Sequence, residues 1–303
     1  MEKPKSLCRY RQFNEKNLNA LAQGKVYFST PAFFNDPFDS FAYVNEEKLF
    51  ASIAHEWETG FEQGEFFKKV MNIDPDCETA RQIKERVLNK EAQKLQIQRI
   101  KEELKRIQRQ VAENTKVICF SETALSNLMW SHYAEDHTGF ALLFDFEDLQ
   151  SATAYDASHN PIPYKTKLER VNYLKQSPDY GQLFFEEMPN RMTISPPFMQ
   201  DKKSATFHSQ FLFNKQADWS YENEWRLCTI GEDISEKSKA HYLKINPCAV
   251  LLGARMKYKD RFPLLQILAG KNIKVYEMFA DDSTPEYTLR KRRLFSTFNR
   301  DLI

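Results

Sequence analysis

Two carboxylates, Glu222 and Glu224, stand two residues apart between a pair of tryptophans in Trp219-Ser-Tyr-Glu222-Asn-Glu224-Trp225-Arg226-Leu-Cys-Thr-Ile230. From Arg226 to Ile230 the residue types favour an extended backbone. The acids are therefore expected just before, or at the start of, a strand, where side chains two apart share a face. Two acids on one face repel. Either Arg226 or Lys215 neutralises them in a salt-bridged strand entrance, or the site uses a carboxylate of shifted pKa or a fixed negative charge. Other chemistry-bearing residues lie in separate segments. Arg11 and the pair Ser29-Thr30 come early in the chain. The turn-rich Pro31-Ala-Phe-Phe-Asn35-Asp36-Pro37-Phe38-Asp39 must nevertheless pack firmly, given its three phenylalanines. The stretch from Met129 through His132 and Tyr133 to His137 is dense in side chains that stack or donate hydrogen bonds. Its two histidines are five apart with no third ligand nearby, so no metal site is expected.

The elements that must position these groups follow from periodicity and caps. Leu7 to Phe13 reads as a strand, Asn14 caps a helix over Glu15 to Ala22, Gly24 ends it, and Lys25 to Ser29 is a second strand. From about 46 to 114 the composition turns to helix formers. There Ile97, Ile100, Leu104, Ile107 and Val111 recur at spacings of three and four among charged residues, a coiled-coil-like stripe. Such a stripe packs one face of a solvated helix on the body, or serves partner binding or self-association over 78–113. Strands return at Thr115 to Ser121 and Gly139 to Asp145, with a helix over Asn127 to Ala134 between them. Later strands are expected at Leu243 to Ile245, Ala249 to Leu252 and Ile273 to Tyr276, with a helix over Tyr258 to Ala269. The expected organisation is one α+β core, residues 1–45 and 115–303, carrying a helical insertion over 46–114.

Bulk properties exclude several classes of function. Lysine plus arginine (43) balance aspartate plus glutamate (42) over 303 residues, so no global field attracts nucleic acid or a membrane surface. No apolar run approaches the ~18 residues of a spanning helix and MEKPKSLCRY holds no apolar signal core, so a cytoplasmic protein without membrane contact is expected. Five scattered cysteines, Cys8, Cys77, Cys119, Cys228 and Cys248, fit reduced thiols rather than a zinc site or a disulfide framework. Twenty-four phenylalanines and thirteen tyrosines against eight glycines suggest a core and clefts rich in aromatic rings. The run Leu289-Arg-Lys-Arg-Arg293 is a solvated face or a nucleic-acid contact. No P-loop, GxGxxG or G-x-S-x-G is present, which removes the main support for phosphate-cradle and hydrolase-elbow mechanisms.

Taken in chain order, Arg11 in the first strand, Ser29-Thr30 closing the second and Glu224 opening a late strand form an Arg, Ser-Thr, Glu series. It resembles the signature of mono-ADP-ribosyltransferases, whose split β-sheet holds NAD in a cleft, and the E-x-E of Glu222 and Glu224 is similar to their catalytic loop. The spacing of Arg11 to Asn17-Leu18 also looks like the opening motif of DNA-directed ADP-ribosyltransferase toxins, with arginine in place of histidine. A second resemblance covers nearly the whole chain. Tyr10-Arg11, Tyr27-Phe-Ser-Thr-Pro-Ala-Phe-Phe-Asn-Asp-Pro-Phe-Asp39, Cys119-Phe-Ser-Glu, Met129-Trp-Ser-His-Tyr-Ala134 with Gly139-Phe140, and Trp219-Ser-Tyr-Glu-Asn-Glu-Trp-Arg226 resemble the bacterial family catalogued as domain of unknown function twenty-nine seventy-one. That family's name conveys no activity, and the helical insertion departs from its compact pattern.

The transferase resemblance implies an α+β protein with an ADP-ribosyltransferase-like split β-sheet, flanking helices and the insertion. It also implies an enzyme of the glycosyltransferase class that consumes NAD and modifies a macromolecule, protein or nucleic acid, as a toxin or anti-phage defence effector does. Glu224 would stabilise the oxocarbenium-like state and Glu222 would orient or deprotonate the acceptor. Arg11, next to Tyr10, would bind a phosphate or ribose, with Ser29 and Thr30 bracing it. Tyr27, Phe34 or Tyr133 would stack on nicotinamide, beside His132 and Asn35 as polar wall residues. Three alternatives stand beside this reading. They are an NAD glycohydrolase, a metal-dependent nuclease built from Asp36, Asp39, Lys215, Glu222 and Glu224, and a non-catalytic nucleotide-sensing module. Each residue also has a plain structural role open to it: Arg11 pairing with Glu224, Ser29-Thr30 capping a turn, Asn35-Asp36 satisfying their own loop.

Overall fold

The computed structural model describes residues 3–39, 41–62, 67–68, 72–87, 89–162, 165–187, 210–230 and 241–294. It is an α+β structure whose chain divides into two compact units. The first comprises Met1–Phe34, Asn114–Tyr173 and Lys215–Ile303, and the second comprises Asn35–Glu113 and Leu174–Asn214.

The first unit is organised by an eight-stranded sheet. In chain order its elements begin with β1 (Ser6–Arg11), α1 (Glu15–Ala22) and β2 (Lys25–Tyr27). Asn14 caps α1 by accepting from the Asn17 amide at 2.9 Å, as its residue type suggests. Beyond the excursion of the second unit come β3 (Val117–Ser121), α5 (Asn127–Tyr133), β4 (Phe140–Asp145), α6 (Phe146–Ser151), β5 (Ala154–Tyr155), β6 (Lys165–Arg170) and β7 (Asn172–Leu174). β8 (Asn214–Gln216) and a 3-10 turn (Ala217–Glu222) then lead into β9 (Glu224–Ile230), followed by β10 (Tyr242–Lys244), β11 (Ala249–Leu252), α8 (Tyr258–Leu268), β12 (Lys274–Ala280) and β13 (Leu289–Arg293). The large sheet runs β13-β12-β11-β4-β1-β3-β9-β6, and β2, β10 and β5 form a separate three-stranded sheet.

The pleat sorts the first unit into two apolar layers. Leu7, Phe120, Phe140, Leu142, Phe144 and Leu227 face one cluster, shared with Val26 and Leu243 of the small sheet. Cys8, Tyr10, Ala141 and Leu251 face the other, covered by Met129 and Trp130 of α5. Between α5 and β4 the residues Glu135, Asp136 and His137 all take positive φ, a left-handed turn that brings Gly139 against β1. A Cβ on Gly139 would meet the Arg11 carbonyl oxygen at 2.2 Å, so no larger residue fits. β1 and β3 pair only at Cys8↔Ser121, and farther along β3 the Val117 backbone pairs with Ser29 instead.

The second unit contains α2 (Glu46–Glu62), α3 (Glu78–Val87), α4 (Lys90–Asn114) and α7 (Tyr180–Glu187). The stripe residues Ile97, Ile100, Leu104, Ile107 and Val111 of α4 are all buried. Residues 174–187 join this unit, although composition alone groups them with the core. Asp179 accepts from the Asn45 amide at 3.2 Å, and Tyr180 stacks on Phe211 at 4.3 Å, both contacts of long sequence separation. No helix among the described residues is long and apolar enough to cross a membrane.

Candidate functional site

Glu222 and Glu224 reach one place by a turn rather than along a strand. Glu222 ends the 3-10 turn, Asn223 takes the left-handed conformation (φ 44°), and Glu224 opens β9. Asparagine tolerates that conformation because its short amide bonds locally. The turn is pinned from three sides. Ser121 Oγ donates to the Glu222 carbonyl at 2.6 Å, the Glu122 amide donates to the Asn223 carbonyl at 3.0 Å, and the Glu224 amide donates to the Tyr173 hydroxyl at 2.8 Å.

The side chains make a closed ionic network. Lys215 Nζ lies 2.6 Å from Glu222 Oε2 and 3.2 Å from Glu224 Oε2. Arg226 grips Glu224 with both ends of its fork, Nε to Oε1 at 2.8 Å and Nη2 to Oε2 at 3.1 Å. Tyr133 donates its hydroxyl to Glu222 Oε1 at 2.6 Å. Two cations balance two anions, and all four charged side chains are buried, Arg226 completely. Aromatic rings close the shell: Lys215 sits 4.9 Å from the Trp219 ring centre and the Arg226 guanidinium 5.0 Å from that of Phe34. From Trp219 a row of rings runs outward through Tyr221 to exposed His132, at 6.0 and 6.1 Å between centres.

The two carboxylates titrate in opposite directions. Burial pushes Glu224 up, but Arg226 and Lys215 outweigh it and hold its pKa at about 2. Burial also raises Glu222, and here Lys215 does not fully offset it, while Glu224 adds to the rise. Glu224 is thus held as the ionised group, and Glu222 is the more readily protonated of the two. Lys215 is raised because the two acids overcome its burial. Cys119, whose backbone pairs with Arg226, keeps a neutral thiol, since burial pushes its pKa well up.

Only part of the expected constellation gathers here. Glu222, Glu224 and Tyr133 meet, and His132 lies at the end of the ring row. Tyr10 is core: buried, edge-on to Trp130 at 5.2 Å, with its hydroxyl on the Thr123 carbonyl at 2.7 Å. Tyr27 packs against Tyr242 on the small sheet. Ser29 bonds the Thr30 carbonyl, and Thr30 precedes the 3-10 turn Pro31–Phe33 without a side-chain cap. Asn35 belongs to the second unit, as do Asp36 and Asp39, while Lys215 and the two glutamates belong to the first. Among the described residues no group of three or more His, Cys, Asp or Glu is placed to hold a metal ion.

Arg11 does not pair with Glu224. Residues opposite one another share a face, so Cys8, Ser121 and Glu224 lie on one side of the sheet and the pleat turns Arg9 and Arg11 to the other. Among the described residues, neither arginine makes an ion pair. Arg9 Nη2 donates to the Tyr27 carbonyl at 3.2 Å, and its Nη1 is buried without a partner. Burial, with Arg11 beside it, pulls Arg9 down, and burial brings Arg11 to about 10, so Arg11 remains cationic near neutrality. Lys215 and Arg226 are legible in the sequence as neutralisers; Ser121 falls within the Cys119-Phe-Ser-Glu motif but gains its role only through strand pairing, and Tyr173, on the short strand Asn172–Leu174, carries no local signal.

The chain has no significant match among curated proteins or solved structures. Residues 129–227, which run from α5 through Tyr133, Tyr173, Lys215, Glu222 and Glu224 to Arg226, match the family model described as Protein of unknown function (DUF2971), and over that span the family resemblance carried by the motifs is borne out.

Proposed function

We propose that the protein consumes NAD and transfers its ADP-ribosyl group to a macromolecular acceptor, as toxins and anti-phage effectors do. The observation that carries this reading is the opposed titration of Glu222 and Glu224, which separates a fixed anion from a proton acceptor within one buried network. In the proposed step the bond between ribose C1′ and the nicotinamide nitrogen breaks and nicotinamide leaves with the electron pair. The ribose cation develops near Glu224, and the acceptor nucleophile bonds to C1′ as its proton passes to Glu222. The parting of β1 from β3 after a single bridge supports a split sheet of the ADP-ribosyltransferase kind. His132 and Tyr221 offer rings on which nicotinamide would stack.

The test is nicotinamide release from NAD. Loss of a general base slows such steps by roughly 10²–10⁴-fold, so Glu222→Gln should fall in that range and Glu224→Gln further. Release at the wild-type rate by both variants sinks the reading. Mass spectrometry separates a covalent ADP-ribose adduct on the acceptor from free ADP-ribose, the product of an NAD glycohydrolase.

One observation favours a second reading, a non-catalytic nucleotide-binding module. Both oxygens of Glu224 are taken by Arg226 and Lys215, and Arg9 and Arg11, which make no ion pair among the described residues, face the other side of the sheet. In that case ADP-ribose raises the melting temperature through Arg9 and Arg11, and no turnover is seen in any variant.

A further inference from the structure

The small sheet β2-β10-β5 turns one face inward and carries an unusual set of side chains on the other. Val26, Leu243 and Ala154 are buried in the core cluster of the first unit. On the opposite face Tyr27, Tyr242 and Tyr155 lie directly across the three strands from one another, and Lys25 lies directly across from Lys244. Tyr242 is covered by its neighbours, with Tyr155 stacked on it at 5.6 Å between ring centres and 17° between planes. Lys25 Nζ stands 4.5 Å from the same ring, and Tyr155 and Tyr27 remain half-buried. His159 completes the edge. It is held at φ 67° in the turn after β5, and its Nδ1 is 2.7 Å from the Tyr242 hydroxyl. Gln23, Lys25, Tyr155, His159, Tyr242 and Lys244 line a groove of about 490 Å³.

Two features of this face bear on what it would bind. Like charges directly opposite on neighbouring strands destabilise a sheet, and neither lysine has a carboxylate partner among the described residues. Lys244 donates to the Gln23 carbonyl at 2.6 Å, and the nearby carboxylate of Asp156 is occupied by the Ser158 and Asn160 amides. Histidine is among the residues that take positive φ, and here the turn sets its imidazole on the groove edge, bonded to the Tyr242 hydroxyl. Paired cations beside a tyrosine row, on an open sheet face, match a backbone of phosphates carrying bases. Every base has a π-face to stack, and each phosphate takes an ammonium.

We propose that this groove binds single-stranded nucleic acid, with Tyr155 stacking a base and Lys25 and Lys244 contacting successive phosphates. The groove is independent of the carboxylate network, and its assay involves no turnover, so failure here leaves the transferase reading standing and the converse also holds.

The experiment is fluorescence anisotropy of a short fluorescein-labelled oligothymidylate with the full chain. Two phosphate contacts predict affinity about sevenfold weaker at 200 mM than at 50 mM salt. Loss of one stacked base at Tyr155→Ala predicts at least about fivefold weakening. The double substitution Lys25→Gln with Lys244→Gln should remove most of the salt dependence while the melting temperature holds, which keeps the test sound if Tyr155→Ala disturbs packing. The proposal is overturned if the oligonucleotide does not bind, if the double lysine variant binds as wild type, or if thymidine monophosphate competes as well as the oligonucleotide.

Discussion

The carboxylate network and the tyrosine-lysine groove use similar residue types to opposite ends. In the network every charge is buried and matched: Lys215 and Arg226 against Glu222 and Glu224, with Tyr133 filling a remaining acceptor. In the groove two lysines face each other with no carboxylate partner among the described residues. A charge set that is internally complete holds its own geometry, whereas one that is incomplete is stabilised by whatever supplies the missing sign. The first therefore loses stability when a charge is removed, and the second does not.

The largest contrast comes from Arg226→Met. Removing one partner of a buried pair strands the other, and the cost is about 3–5 kcal/mol, read as a shift of the denaturation midpoint. Wild-type stability after this change would mean that Glu224 is not held as an ion.

Acid titration gives the next effect. Glu224 titrates near 4.5 when unfolded and at about 2 when folded. Its contribution, about 3 kcal/mol, is present above pH 4.5 and is lost as pH falls toward 2. Glu222, raised in the fold, works in the opposite sense, adding stability below its unfolded pKa and losing it as pH rises through the folded one. Glu224→Gln should flatten the acid limb of a melting-temperature profile, while Glu222→Gln should leave that limb steep.

A smaller effect is expected at Tyr133→Phe, which removes the donor to Glu222 Oε1 and costs about 1 kcal/mol, with Glu222 shifted further up. Smallest, and opposite in sign, is Lys244→Gln. It relieves the like-charge pair and should stabilise by a few tenths of a kcal/mol, and a loss of 1 kcal/mol or more would break the comparison.

Local chemistry made much of this molecule legible. The helix over Glu15–Ala22, the strand Ala249–Leu252 and the neutralising roles of Lys215 and Arg226 follow from caps, β-branched residues and charge. What sequence order does not carry is the face of the sheet on which a side chain ends. Arg11 and Glu224 fit a familiar series, yet the register Cys8↔Ser121↔Glu224 sets them on opposite sides, because a one-residue difference along a strand reverses the face. The acids do stand just before and at the start of a strand, as expected, and the left-handed Asn223 between them is the added feature that aims both at Lys215. The groove was hidden for a related reason, since Lys25, Tyr155 and Lys244 are far apart in sequence and each alone is an ordinary surface residue.

The place of β1 has a consequence for how the chain reaches its fold. This first strand lies in the middle of the large sheet, between β4 and β3, so its partners Val117–Ser121 and Phe140–Asp145 are made long after it. On the ribosome its two edges must wait, unpaired, through the synthesis of α2, α3 and α4. Closing so long a loop is slow, although each doubling of length adds only about 0.6 kcal/mol to the entropic cost. Local folding of those helices would shorten the span that remains to be closed, which gives the intervening segment a part in bringing the first strand home before its edges find another chain.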